Sequence, residues 1–382
     1  MATRRKFLHG CGGAALAVSS LSLPGCSDRA SARPADWDPL ISDLEQRLPA
    51  LLAQAPTVPA VSMALIADAK LLWHGAYGVT DFETKAPVQQ ATIFEAGSVS
   101  KTVFAYRVMK LCEQRVLDLD TPLTKYTTDR LIQGDPRLDL ITTRRVLSHT
   151  TGLPNWRSPK DPLVIHFTPG ERWSYSGEGY SYLQSVVTHV AGRVDPNDCM
   201  TLADGARVCA TDFDAYMKAN LLIPFGMTSS GYLYREGMAR PHDNQGKMIA
   251  DRKSTPILAA RYGSAGNLQT NPTEYAKFLI EILNPKPPDA YRLSAASLQE
   301  MVRPQVKVTD SLSWGLGWAI SHTKAGDLIT HSGDNPGYKA LATASIPKKA
   351  GFIIMTNGDR GYDDIITKVI TSEPMQRFLP SK

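Results

Sequence analysis

The sequence predicts an α/β protein of the α+β type: an antiparallel sheet flanked by helices, with a mainly helical region inserted. Three observations predict it. Residues 58–68 and 70–80 are rich in Val, Ile, Leu and Trp with a turn between them, the pattern of a hairpin. Residues 314–322, 328–332, 340–346 and 352–357 have strand character far along the chain. The stretch between these two groups carries mostly helical periodicity. An α/β layer built from about 41–115 and 251–382 follows, with a helical region over about 116–250 and a cleft where they meet.

The elements can be justified in order. Residues 43–54 have helical periodicity interrupted by Pro49. After the hairpin, 94–104 read as the end of an extended segment, a glycine bend at Gly97 and a helix opening at Ser98. Residues 102–113 continue it with buried-helix spacing and no Gly or Pro. The run 117–123 ends that element. A short helix over 142–148 is stopped by His149-Thr150-Thr151-Gly152-Leu153-Pro154. Residues 179–191 read as a buried helix closed by Gly192, and 213–222 as another ending before Pro224. Asn271-Pro272-Thr273-Glu274 has the form of a capping box with proline at the first helical position, opening a helix to about Leu283. A last helix spans 363–371. No internal repeat or low-complexity segment interrupts the chain.

With 382 residues, 43% of them hydrophobic, the chain buries a large core as one big domain or two. Charged residues at 21% are near the globular norm and exclude extensive disorder. The formal charge of +5 includes Arg4, Arg5 and Lys6; without residues 1–25, which hold no acid, 39 basic residues face 37 acidic ones. That balance, with no basic run, excludes a nucleic-acid partner.

Residues 1–25 read as a signal peptide. Thr3-Arg4-Arg5-Lys6-Phe7-Leu8 resembles a twin-arginine export pattern, and a short apolar, small-residue stretch follows. Leu23-Pro24-Gly25-Cys26 resembles the lipobox of bacterial lipoproteins, which implies acylation of Cys26 and an anchor on the periplasmic side of a bacterial membrane. An ordinary signal cleaved nearby is the other reading. Residues 26–40 are polar and proline-containing, a tether. In an oxidising compartment a disulfide between Cys199 and Cys209 would close the polar loop between them, whereas Cys112 lies within an apolar helix pattern and reads as a buried thiol.

The chemistry centres on Ser98. A serine in a first helical turn has backbone N–H groups and the positive dipole end beside it, and Lys101 at i+3 shares its helix face. Nucleophile, base and oxyanion donors are thus within one turn. Spacing alone leaves open the plainer reading, a helix-start serine and a surface lysine. Two other S-x-x-K matches, Ser321 with Lys324 and Ser345 with Lys348, fall in strands or turns, where i and i+3 face apart. No histidine has H-E-x-x-H or similar spacing, so no metal or other cofactor is called for.

Further segments accompany Ser98. They are Phe94-Glu95-x-Gly97-Ser98-Val99-Ser100-Lys101-Thr102, Leu147-Ser148-His149-Thr150-Thr151-Gly152-Leu153-Pro154, Phe167-Thr168-Pro169-Gly170 through Trp173-Ser174-Tyr175-Ser176-Gly177, Gly263-Ser264-Ala265-Gly266-Asn267-Leu268, and His331-Ser332-Gly333-Asp334. In this order, over about residues 55–360, they resemble the serine β-lactamase and penicillin-binding-protein superfamily, in particular its class C-like branch. That resemblance implies a β-lactamase/transpeptidase-like fold over 41–382 and an acyl-enzyme on Ser98. It also implies Lys101 and Tyr175 as proton shuttles and backbone N–H groups of Ser98 and Asp334 as the oxyanion hole. Substrate contacts are expected from His331, Ser332, Gly333 and Gly177. His149 reads as structural, a Ser/His/Asp triad through it being the lesser reading.

Two positions depart from the family pattern. Class C β-lactamases carry Asn where this chain has Gly177, and Lys where it has His331. Glycine offers no carboxamide, and a neutral imidazole attracts a substrate carboxylate less than an ammonium does. The expected activity is therefore cleavage of a small ester or amide, as by an esterase, D-amino-acyl amidase or D,D-peptidase, on a small molecule or peptidoglycan-type peptide. A true β-lactamase is the alternative, and a catalytically idle lipoprotein that binds peptidoglycan or a partner is the alternative of another class.

Overall fold

The computed structural model describes residues 37–127, 131–158, 160–192, 205–249 and 256–380. The expected signal peptide over 1–25, Cys26, most of the expected tether over 26–40 and Cys199 lie outside them. Residues 38–40, expected in the tether, are already helical: α1 spans Asp38–Ala53, and Pro49 sits inside it without ending it. Asp38–Lys382 make one compact unit.

Strands β1 (Ala60–Ala67) and β2 (Lys70–Gly78) form the expected hairpin, with a bulge between Leu65 and Ile66. All eight residues of β1 are buried, so both faces of this strand are covered and its apolar run does not alternate. The rest of the main sheet comes from β5 (Val306–Thr309), β6 (Leu312–Trp314), β7 (Ala319–Thr323), β8 (Gly326–Asn335), β9 (Tyr338–Ser345) and β10 (Ala350–Thr356). Its order is β2-β1-β10-β9-β8-β7-β6-β5, antiparallel throughout. Strand β10 lies between β1 and β9, Ala64 opposite Ile353 and Ile353 opposite Ala342. Helix Pro272–Leu283 packs on β1, β2, β9 and β10, and α1 packs on β1 and β2. A small second sheet joins β3 (Phe94–Glu95) to β4 (Gln269–Thr270).

The expected strand over 314–322 is two strands. Gly315 and Gly317 turn the chain between β6 and β7; Gly317 has φ +91°, and a Cβ there would stand 2.4 Å from the Ala105 side chain. Strand β5 and helices Pro256–Gly266 and Ala295–Val302 extend the expected set. The helix read over 213–222 is an α-helix over Gly205–Met217 followed by a π-turn over Lys218–Leu222. The last helix is a π-turn, Tyr362–Ile366, running into Thr367–Ile370, with a further helix at Glu373–Phe378.

Helix α2 (Ser100–Glu113) runs through the core, buried from Ser100 to Leu111. A helix buried on every side, with Lys101, Arg107 and Lys110 among its buried residues, needs partners on every side. Helices Pro256–Gly266 and Ala295–Val302 pack against it, and Phe104 meets Tyr180 and Phe213 at ring-centroid distances of 6.3 and 6.1 Å. Short helix α3 (Thr143–Leu147), capped by Thr142, packs on α4 (Gly177–Ala191), which Ser176 caps by accepting from Gly179 N at 2.9 Å. Helix Pro256–Gly266 packs on α4 and on Gly205–Met217, so the helical layer reaches past residue 250. Cys209 is disulfide-bonded, its expected pairing with Cys199 lying outside the described residues, and Cys112 is a free, largely buried thiol.

Candidate active site

A 3₁₀ turn, Gly97–Val99, precedes α2, where the expected helix opened directly at Ser98. Ser98 lies in this turn and Lys101 in the first turn of α2, and their i, i+3 spacing sets both side chains on one face. The turn is held from both sides. Ser100 Oγ donates to Gly97 O at 2.6 Å and accepts from Leu268 N at 2.9 Å, and Ala96 N donates to Leu268 O at 2.8 Å. Gly97 has φ +54°, and a Cβ on it would stand 2.7 Å from Asp334 N. A Cβ on Gly333 would stand 2.0 Å from Ala96 O. Both positions require glycine because strand β8 and the Ser98 turn touch backbone to backbone.

Lys101 Nζ donates to Ser98 Oγ at 3.1 Å and to the Ala265 carbonyl at 2.6 Å. The side chain is fully buried, with Nζ 4.8, 5.4 and 5.9 Å from the ring centroids of Tyr175, Tyr180 and Trp156. Burial lowers its pKa to about 7. The amine is then neutral part of the time near neutral pH, so Lys101 can accept a proton from the hydroxyl it touches.

Tyr175 is half-buried and lines the cavity; partial burial raises its pKa, with Ser98 as the neighbour that favours its ionised form. No hydrogen bond is closed at Tyr175 Oη. The ring stacks on His149, centroids 4.1 Å apart. His149 Nδ1 accepts from Ser176 N at 3.0 Å, and burial together with Lys101 holds the imidazole neutral. His149 therefore sits behind Tyr175 as packing, with no contact to Ser98.

On β8 the side chains alternate. Ser332 and Asp334 face the cavity; His331 faces inward, 3% exposed, between Tyr175 and Trp314. His331 Nδ1 donates to Ser332 O at 2.7 Å, and burial, then the Lys101 charge, push its pKa down to about 3. The cavity, about 680 Å³, is lined by Ser98, Tyr175, Ser332 and Asp334 but not by the side chain of His331, nor by Gly333 or Gly177. Gly177 opens α4, its N–H donating to Asn155.

Spacing gave no sign of the cavity's other walls, Asn155, Trp156, Arg157 and Tyr262. Asn335, which follows Asp334, bridges Glu95 Oε2 at 2.7 Å and the Gly266 carbonyl at 2.9 Å. Lys339 Nζ lies 2.8 Å from both Asp334 Oδ1 and Asp359 Oδ1, and Tyr362 Oη accepts from Gly333 N at 3.2 Å while donating to Ala340 O. These contacts fix the end of β8 beside the Ser98 turn. Among the described residues no group of three or more His, Cys, Asp and Glu side chains could hold a metal ion, and no helix is long and apolar enough to cross a membrane.

A family model described as Beta-lactamase matches residues 48–369. Penicillin-binding protein 4* of Bacillus subtilis is 24% identical over 340 residues, covering 78% of this chain and 68% of that protein. Protein flp of Staphylococcus aureus is 19% identical, covering 85% of this chain and 65% of its own length, so the chain spans about two thirds of these relatives. Among solved structures, the octameric penicillin-binding protein homologue from Pyrococcus abyssi superposes with a TM-score of 0.69 at 21% identity, over 89% of this chain and 79% of that one. The D-alanine carboxypeptidase AmpC from Burkholderia cenocepacia gives 0.68 at 18% identity, over 90% and 99%.

Proposed function

The chain belongs to the beta-lactamase family, and from that premise we propose that it is a serine hydrolase cleaving a small ester or amide through an acyl-enzyme on Ser98. One observation carries this reading: a buried lysine, with its pKa lowered to about 7, hydrogen-bonded at 3.1 Å to a serine that opens onto a cavity. Neutral Lys101 takes the Ser98 proton as Oγ attacks the carbonyl carbon. The carbonyl π pair moves onto oxygen, where the N–H groups of Ser98 and Asp334 receive it. Collapse expels the leaving group, which takes up a proton through Tyr175 and Lys101. Water then enters by the same proton path in reverse, and the acid product leaves.

The charged side chains that line the cavity, Arg157 and Asp334, are each paired, with Glu178 and Lys339. His331 is held neutral, so no cation stands where the class C-like pattern puts one, and Gly177 supplies no carboxamide. Ester or D-amino-acyl amide cleavage therefore leads over β-lactam hydrolysis. The N-terminal residues support an exported, lipid-anchored form acting on the periplasmic side, with peptidoglycan-type peptides among the substrates it would meet.

The experiment is a fluorophosphonate probe followed by a substrate panel of an ester, a D-Ala-D-Ala peptide and nitrocefin. Wild-type protein should be labelled on Ser98 and turn over the ester or the peptide faster than nitrocefin, with Ser98→Ala unlabelled. Equal labelling of Ser98→Ala, or none of either, would refute the acyl-enzyme.

A further inference from the structure

Gly177 is a missing side chain whose space is already taken. A Cβ built there would stand 2.4, 2.5 and 2.7 Å from three carbons of the Trp156 six-membered ring. Trp156 reaches that place because its loop is tied to the start of α4: Gly177 N and Glu178 N both donate to Asn155 O, at 3.1 and 3.0 Å, and Gly177 N also reaches Asn155 Oδ1 at 3.1 Å. Arg157 adds an ion pair to Glu178 at 3.5 Å. From the other side Tyr262 meets the indole edge to face, centroids 5.1 Å apart and planes at 86°. The ring is thus contacted on both sides, while the residue is 46% exposed overall and lines the cavity. Its centroid is 5.9 Å from Lys101 Nζ, which places it against the reacting centre.

A fixed aromatic face beside the nucleophile presents apolar area and a quadrupole, where a carboxamide would present a donor and an acceptor. We propose that Trp156 is the specificity-determining residue of this site, selecting substrates with a flat apolar group next to the scissile bond and using the volume that a side chain at 177 would otherwise occupy. This rests on Ser98 being the nucleophile. The size of the effect follows from the contact: one well-placed apolar surface discriminates by about tenfold or more between a group that covers it and one that does not.

Phosphonylation reads this without needing the natural substrate. Ser98 Oγ attacks phosphorus, fluoride leaves, and the proton passes to Lys101. Second-order labelling rates would be measured with a benzyl- and a methyl-fluorophosphonate on wild type, Trp156→Ala, Trp156→Phe, Gly177→Ala and the Trp156→Ala/Gly177→Ala pair. Wild type should prefer the benzyl probe by about tenfold. Trp156→Ala should lose that preference, read as the benzyl-to-methyl ratio within the variant, and Trp156→Phe should keep most of it. Gly177→Ala, by expelling the indole, should also lose the preference, yet change nothing further when Trp156 is already alanine.

An unchanged preference in Trp156→Ala, an equal loss for both probes, no preference in wild type, or strictly additive effects in the pair would each overturn the assignment while leaving the serine hydrolase reading intact. Absence of Ser98 labelling in wild type by either probe would remove both.

Discussion

Lys101 pairs reactivity with a thermodynamic cost, and both have the same cause. Burial lowers its pKa from 10.5 to about 7. The unfolded chain then binds the proton more tightly than the folded one, so this residue destabilises the fold at and below pH 7 and ceases to do so as pH rises toward 10.5. By linkage the cost is at most about 5 kcal/mol. Lys101→Met should abolish turnover and raise the melting temperature at pH 7, with the gain shrinking as pH approaches 10; differential scanning calorimetry across pH checks this. For wild type, kcat/KM should rise through an apparent pKa near 7, since the neutral amine is the working form. A flat profile between pH 6 and 8 would count against Lys101 as the base. Tyr175→Phe keeps the ring on His149 and removes only the hydroxyl. It should cut kcat by about 10²–10⁴ while circular dichroism and labelling-competent folding persist.

At the scale of elements, the decisive contact is strand β8 against the Ser98 turn. Gly333→Ala would place a carbon 2.0 Å from Ala96 O and force the two backbones apart. Loss of one oxyanion donor typically lowers kcat by about 10²–10³, and that is the expected reading for Gly333→Ala, measured on whichever ester the panel identifies. Lys339→Met should act more mildly. It removes the cation shared by Asp334 and Asp359, which are 71% and 29% exposed, and should cost about 1 kcal/mol or less in urea denaturation. The elements also mark where sequence reading stops. The hairpin, the α2 pattern and the strands after 326 were legible because their apolar periods are long and uninterrupted. Strands β6 and β7 read as one because Gly315-Leu316-Gly317 looks like a weak point in a strand, and what makes it a turn is distant in sequence: Ala105 against Gly317, and hydrogen bonds from Leu316 N to Met301 O and from Gly317 N to Leu147 O. Helix Pro256–Gly266 was hidden by its own glycines. Ser98 with Lys101 stood out because a helix start presents the pair and further segments accompany it in order; the spacing, shared by Ser321 with Lys324 and Ser345 with Lys348, left the plainer reading open. Trp156 could not be found that way, since what gives it meaning is the emptiness of position 177, and only packing brings the two into contact.

For the whole molecule, the sheet is assembled from residues nearly three hundred positions apart in sequence, as Val61 opposite Thr356 illustrates. Hairpin β1–β2 meets the remaining strands only through β10. A chain ended at residue 349 should therefore be insoluble, and hydrogen exchange on the intact protein should show β1 and β10 protected together, as one cooperative unit. Independent exchange of the two strands would contradict this. That placement also sets a timetable. While a ribosome is still making residues 350–356, the segment that joins the two halves of the sheet does not yet exist, so this protein can close its core only after that stretch has been synthesised.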